Sequence, residues 1–156
     1  MVEYFNQMKA DLVETYKADL CEESVAAINN ASDIAEFVKL LPKFSVYLNY
    51  KELPSIDWVK KWFNTTELRR IANDNGVYFD GIATIISPTI PIVLMGDVKA
   101  MLTCAKPHLY QVVAQDNSSV EITTFCNSVV RVRQKNNSKV NILHKHNLSR
   151  IKITKV

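Results

Sequence analysis

The sequence predicts an α+β protein in which an N-terminal cap of short helices, residues 1–75, leads into a C-terminal β-solenoid, residues 76–156. Three observations carry that expectation. The first half repeats apolar residues at helical spacing, and the second alternates β-branched with polar residues. The halves also differ in charge: residues 1–80 hold nine Lys/Arg and thirteen Asp/Glu, net −4, while residues 81–156 hold ten and three, net +7, together the +3 of the chain. Finally, asparagines stand at 117, 127, 137 and 147, a spacing of ten each time.

The 156 residues, 47% hydrophobic and 22% charged, match a folded domain and not a disordered chain. In the first half, "EYFNQMKADLVETY" places Phe5, Met8, Leu12, Val13 and Tyr16 at helical spacing, and "EESVAAINN" predicts a second short helix. A third begins at a capping box of Asp33 and Glu36 ahead of "FVKLL", with Pro42 expected to close it. In "PSIDWVKKWF", Ser55 is placed to cap, and Trp58 and Trp62 read as core residues sooner than as a ligand-binding pair. The last helix, "TTELRRIANDNG", starts at Thr65 or Thr66 and stops at Gly76.

Asn75-Gly76 and Asp80-Gly81 are turn signals around a short apolar run. The apolar stretch from Gly81 to Gly96 falls short of the roughly 20 residues a membrane-spanning helix needs, and Pro88 and Pro91 would break one. Short buried strands and no membrane span are therefore expected there.

Aligning the asparagines puts Val120, Val130 and Val140 three residues after Asn117, Asn127 and Asn137, with Ile122, Val132 and Ile142 two further on. The final repeat slips by one, giving Ile151 and Ile153 after Asn147, and Tyr110 and Val112 extend the phase upstream. These residues form the expected inward rows, with Glu121, Arg131, Asn141 and Lys152 pointing outward. The alternative is an antiparallel meander. There, a two-residue turn at Asn127-Ser128 would set Ile122 opposite Arg133, and a three-residue turn would be needed every time. A parallel coil of two such units needs no special turns and sets Val120 over Val140 and Glu121 over Asn141. Its corner asparagines are expected to adopt a left-handed backbone and to bond along the stack. The helices would cover one end of the stack, leaving the far end guarded by charge or used to join another subunit.

Helical stretches such as "ADLCEES" and "LPSIDWVKKWF", followed by "GVYFDG", "PIVLMGD" and short units such as "NSSVEI" and "NSKVNI", give the chain a pattern that resembles small proteins of gut Bacteroidetes genomes and their phages. The resemblance covers most of the chain, rests on pattern and not on a diagnostic motif, and transfers no catalytic residue. It implies a bacterial or phage origin and a repeat-coil architecture. Members with glycine-rich or alanine-rich corners differ from the Asn-Ser corners here.

No catalytic residue, cofactor or metal is predicted. The three glycines are scattered, so no phosphate loop forms, and no nucleophile motif surrounds any serine. His144 and His146 would share a face on a strand, yet Lys145 between them opposes a cation, and His108 follows Pro107 in a turn. Cys21, Cys104 and Cys126 lack metal or redox spacing and read as thiols in a reducing compartment. The N-terminus carries acids and amides where a secretory leader needs a basic start, so export is not expected. The expected location is the cytoplasm of a bacterial host, or a virion if the chain is phage-encoded.

Charge is the more informative feature. From Arg131 to Lys155 there are eight basic residues and no acid: Arg131, Arg133, Lys135, Lys139, Lys145, Arg150, Lys152 and Lys155. One expectation is a non-enzymatic structural or interaction module, of phage or mobile-element origin, that self-associates or docks on a larger assembly. The other is a nucleic-acid-binding or counter-defence protein using this basic region. Phe125 is the only Phe, Tyr or Trp after Tyr110, so few rings are present to stack on bases.

Overall fold

A computed structural model describes residues 2–47 and 53–156. They form α1 (Val2–Thr15), α2 (Glu22–Asn30), α3 (Ile34–Tyr47), α4 (Ile56–Trp62) and α5 (Thr66–Asp74), followed by nine strands. The strands are β1 (Val77–Phe79), β2 (Ile82–Ile86), β3 (Ile92–Met95), β4 (Lys99–Cys104), β5 (Leu109–Ala114), β6 (Ser119–Thr124), β7 (Val129–Gln134), β8 (Lys139–Lys145) and β9 (Arg150–Lys155).

Odd strands make one sheet, ordered β1-β3-β5-β7-β9, and even strands the other, β2-β4-β6-β8. Every pairing is parallel, which excludes a meander. The chain thus winds a β-solenoid of roughly four turns, one strand in each sheet per turn. Val120 pairs with Val140 and Glu121 with Asn141, so two ten-residue units make one coil.

Local signals set the helix starts. Asp33 Oδ1 accepts the Glu36 N–H at 2.8 Å, and Glu36 Oε2 reaches back to the Ser32 N–H at 2.9 Å. Ser55 accepts from the Trp58 N–H, and Thr65, not Thr66, caps α5 by accepting from the Leu68 N–H. Pro42 does not close α3, which continues to Tyr47. Its missing N–H costs one helical bond, but Leu41, Phe44 and Val46 beyond and beside it are buried, and that packing carries the helix through. Trp58 and Trp62 are core residues, 5% and 8% exposed, with ring centroids 6.3 Å apart.

Two cores meet at β3. Val77, Phe79, Val93, Met95 and Val113 join the helical core, while Ile92, Leu94, Tyr110 and Val112 point into the coil. Alternate residues of one strand therefore serve different cores, which is why "IVLM" is apolar throughout. The helices consequently pack on the outward face of β1, β3 and β5, with α3 crossing all three and α5 beside β1. The expected cover over the stack's end is instead a clasp on its flank. Buried strands are found at β3 but not at β2, where only Ile85 is buried and Ile82 and Ile86 are exposed. No described helix is long and apolar enough to cross a membrane.

Candidate functional site: the open end of the coil

The corners are built one residue away from the expected ladder. Asp80, Gly96, Asp116 and Asn136 occupy one corner column, all with left-handed φ of 49°, 65°, 59° and 55°. The residue that turns this corner precedes Asn117 and Asn137, and none of the four ladder asparagines takes a positive φ. Side chains in the column tie rungs together. Asp80 Oδ1 accepts the Asp97 N–H at 2.9 Å, and Asp116 Oδ2 accepts the Gly96 N–H at 2.9 Å. Asn117 bonds along the stack as expected, its Nδ2 donating to Asp97 Oδ1 at 3.2 Å.

Asn127 belongs to the opposite corner, and the ladder fails there. A coil is two units long, so asparagines ten apart alternate between corners, and Asn127 lies between Pro107 and Leu148. Asn147 is exposed and one place out of line with it. The cause lies in β8, where Ile142 pairs with Ile122 but His144 pairs with Thr123, leaving Leu143 as a bulge. The slip therefore precedes Asn147 instead of following it.

Buried serines also line the corners, a feature the asparagine spacing does not show; the hydroxyls of Ser128, Ser138 and Ser149 bond there, while that of Ser118 has no hydrogen-bond partner among the described residues. Ser118, Ser128, Ser138 and Ser149 are buried at 0–3% exposure. Ser138 Oγ donates to the Ala114 carbonyl at 2.9 Å in the adjacent coil, and Ser149 Oγ donates to the Cys126 carbonyl. Each serine starts a Ser-x-β-x-β unit: Ser118, Val120, Ile122; Ser128, Val130, Val132; Ser138, Val140, Ile142; Ser149, Ile151, Ile153. That pattern stays in phase through the slip.

The inward rows end differently from how they run. Val120, Ile122, Val130 and Val132 are fully buried, and Val140 and Ile151 are half-buried. Ile142 and Ile153, paired with Ile122 and Val132, are 42% and 38% exposed. Leu143 and Leu148 are also exposed on this last rung. Lys145 and Lys155 follow the two open rows, paired with Thr124 and Gln134.

The sequence-predicted basic residues do not share one face. Arg131 pairs with Lys152 on the outward side of the odd sheet, with Arg133 next to Thr154 and Arg150 beside Val129. Lys139 and Lys145 lie on β8 in the other sheet, and Lys135 is buried at a corner. His144 packs on Phe125 with centroids 5.9 Å apart, while His146 lies beyond β8 and its N–H donates to Thr124 Oγ1 at 3.0 Å, so the two do not share a strand face. His108 stacks edge-on against Tyr110. Among the described residues no group of three or more His, Cys, Asp or Glu is placed to hold a metal.

The three cysteines are free thiols, and burial, helped by the neighbouring Cys126, pushes the Cys104 thiol up to about 12. A crevice of about 330 Å³ between α5, β2 and β3 has Asp74 and Tyr78 as its titratable groups. Burial, with Asp74 adding to it, raises the Tyr78 phenol.

No protein-family model matches the chain, and neither curated proteins nor solved structures yield a match.

Proposed function

We propose that this protein is a non-enzymatic interaction module that docks through the open end of its coil, onto another copy or onto a larger assembly. The observation that carries the reading is the exposure of Ile142 and Ile153, two members of otherwise buried rows. Rows of this kind are covered by the next rung within a coil, so a partner that adds a rung removes the same apolar surface from water. At the corners, by contrast, the side chains of Asp80, Asp116 and Ser138 are engaged in bonds between rungs. The sequence pattern supports a bacterial or phage origin, with the host cytoplasm or a virion as the location.

A peptide-display selection on the native chain, counter-selected on an Ile142→Lys/Ile153→Lys variant, tests this. Selected ligands should slow amide exchange in β8 and β9. Ligands that protect the helices or the flank instead, or a selection that yields none, would overturn the reading.

A second reading rests on Arg131 lying beside Lys152 on the exposed part of the odd sheet. Here the module binds nucleic acid through phosphate contacts, and its affinity falls steeply with salt. Arg131→Glu/Arg133→Glu should weaken that binding, and unchanged binding would remove the reading.

A further inference from the structure

The inference that follows rests on the open coil end being a contact surface, and it assigns the chemistry of what that surface takes. β8 and β9 end their sheets, so among the described residues each has one side without a strand partner. β8 is a poor template because Leu143 bulges out of its register. β9 keeps unbroken register with β7 from Arg150 to Lys155. Its side chains alternate, with Ile151 and Ile153 in the inward row and Arg150 and Lys152 outward.

Charge narrows the occupant. No Asp or Glu follows Glu121, so two copies meeting through this rung would set lysine and arginine against each other. Joining the rung to the opposite end of a second coil is no better provided for. At that end the inward Ile85 is only 4% exposed, so the inward row is closed there, and the exposed Ile82 and Ile86 lie on the outward side of β2. We infer that β9 takes an extended acidic segment of another protein, added as one more strand of the odd sheet. Its aliphatic residues would lie over Ile151 and Ile153, and its Asp or Glu residues beside Arg150 and Lys152. Backbone bonds along β9 supply affinity, and the acid-aliphatic alternation supplies selection.

The test uses two labelled synthetic peptides, one alternating Glu with Val and one alternating Lys with Val, followed by fluorescence anisotropy and amide exchange on the full chain. The Glu peptide should bind, slow exchange in β9 and weaken as salt is raised. Ile153→Lys should weaken it about tenfold or more, equivalent to ~1.4 kcal/mol. Arg150→Glu/Lys152→Glu should reverse the preference toward the Lys peptide, and that gain also shows that the variant is folded. Equal binding of both peptides, preference for the Lys peptide, or protection outside β9 would overturn the inference. Binding of neither peptide would overturn it too, while ligands from the display selection could still map to the coil end. Self-association at low salt that Ile153→Lys abolishes would assign the surface to a second copy and likewise overturn it, since unscreened lysine and arginine should keep two copies apart.

Discussion

Ser128 lies against Ser149, their hydroxyls 3.3 Å apart, in the corner where Asn147 has dropped out of line with Asn127. The buried serine, not the exposed asparagine, is therefore what joins the last rung to the one before. Ser149→Ala should cost about 1 kcal/mol through loss of buried hydrogen bonds. Asn147→Ala should leave stability unchanged within error. Urea unfolding of both variants checks the ranking, and a larger loss at Asn147 would contradict the corner geometry.

Gly96 has φ +65°, and a Cβ there would run into Asp80 Oδ1 and lie 3.1 Å from Ile56 Cδ1. Asp80 also pairs with Lys60 of α4 at 2.8 Å, so the corner links head to coil. Gly81 has φ +85° with nothing near its Cβ position. Gly81→Ala should cost about 1 kcal/mol from backbone strain alone, and Gly96→Ala clearly more. Equal losses in thermal unfolding would show that Asp80 is not held where described.

Two carboxylates make stability fall in acid. Burial opposes ionisation of Asp11, but donors from Trp62 and Lys61, at 2.6 and 2.9 Å, outweigh it and hold its pKa below the ordinary 3.8. Burial opposes ionisation of Asp80 as well, and the Asp97 N–H and Lys60 outweigh it, again leaving the pKa below 3.8. A depressed folded pKa stabilises the fold above the unfolded value, and the contribution is lost as pH falls through the folded one. Tm should thus drop below about pH 4, and an Asp11→Asn/Asp80→Asn variant should show a shallower drop.

Thiol labelling reports on the coil interior. Cys21 is exposed, and its hydrogen bond with Ser24 holds the thiol below its usual range. Cys104 is buried with a raised pKa. Iodoacetamide should modify Cys21 first, and Cys104 only as the coil unfolds. Early modification of Cys104 in the native chain would contradict its inward position.

The solenoid was legible because an even repeat keeps one face inward, and the Val120–Val140 and Glu121–Asn141 stacking follows from the ten-residue spacing alone. Three features were not. Pro42 reads as a helix stop, and only the burial around it, a tertiary effect, carries α3 onward. The position of the helices is hidden because Val93, Met95 and Val113 look like ordinary strand residues until their outward side is known to be covered. Asparagine spacing puts the slip after Asn147 because that spacing survives a bulge that inward spacing does not; the Ser149, Ile151, Ile153 unit, eleven residues on from Ser138, carries the signal of the bulge in β8. As for the candidate site, the sequence announced an exposed last rung and its positive charge, but not the division of the basic residues between two sheets.

The most direct measurement is the solution mass of the native chain and of Ile142→Lys/Ile153→Lys by light scattering, at low and high salt. Like charges on the last rung should keep the native chain monomeric at low salt, and screening should permit association through the apolar rows. The substituted chain should stay monomeric at both. An oligomer present at low salt that survives both substitutions would contradict it, because the contact would then lie away from the open end of the coil.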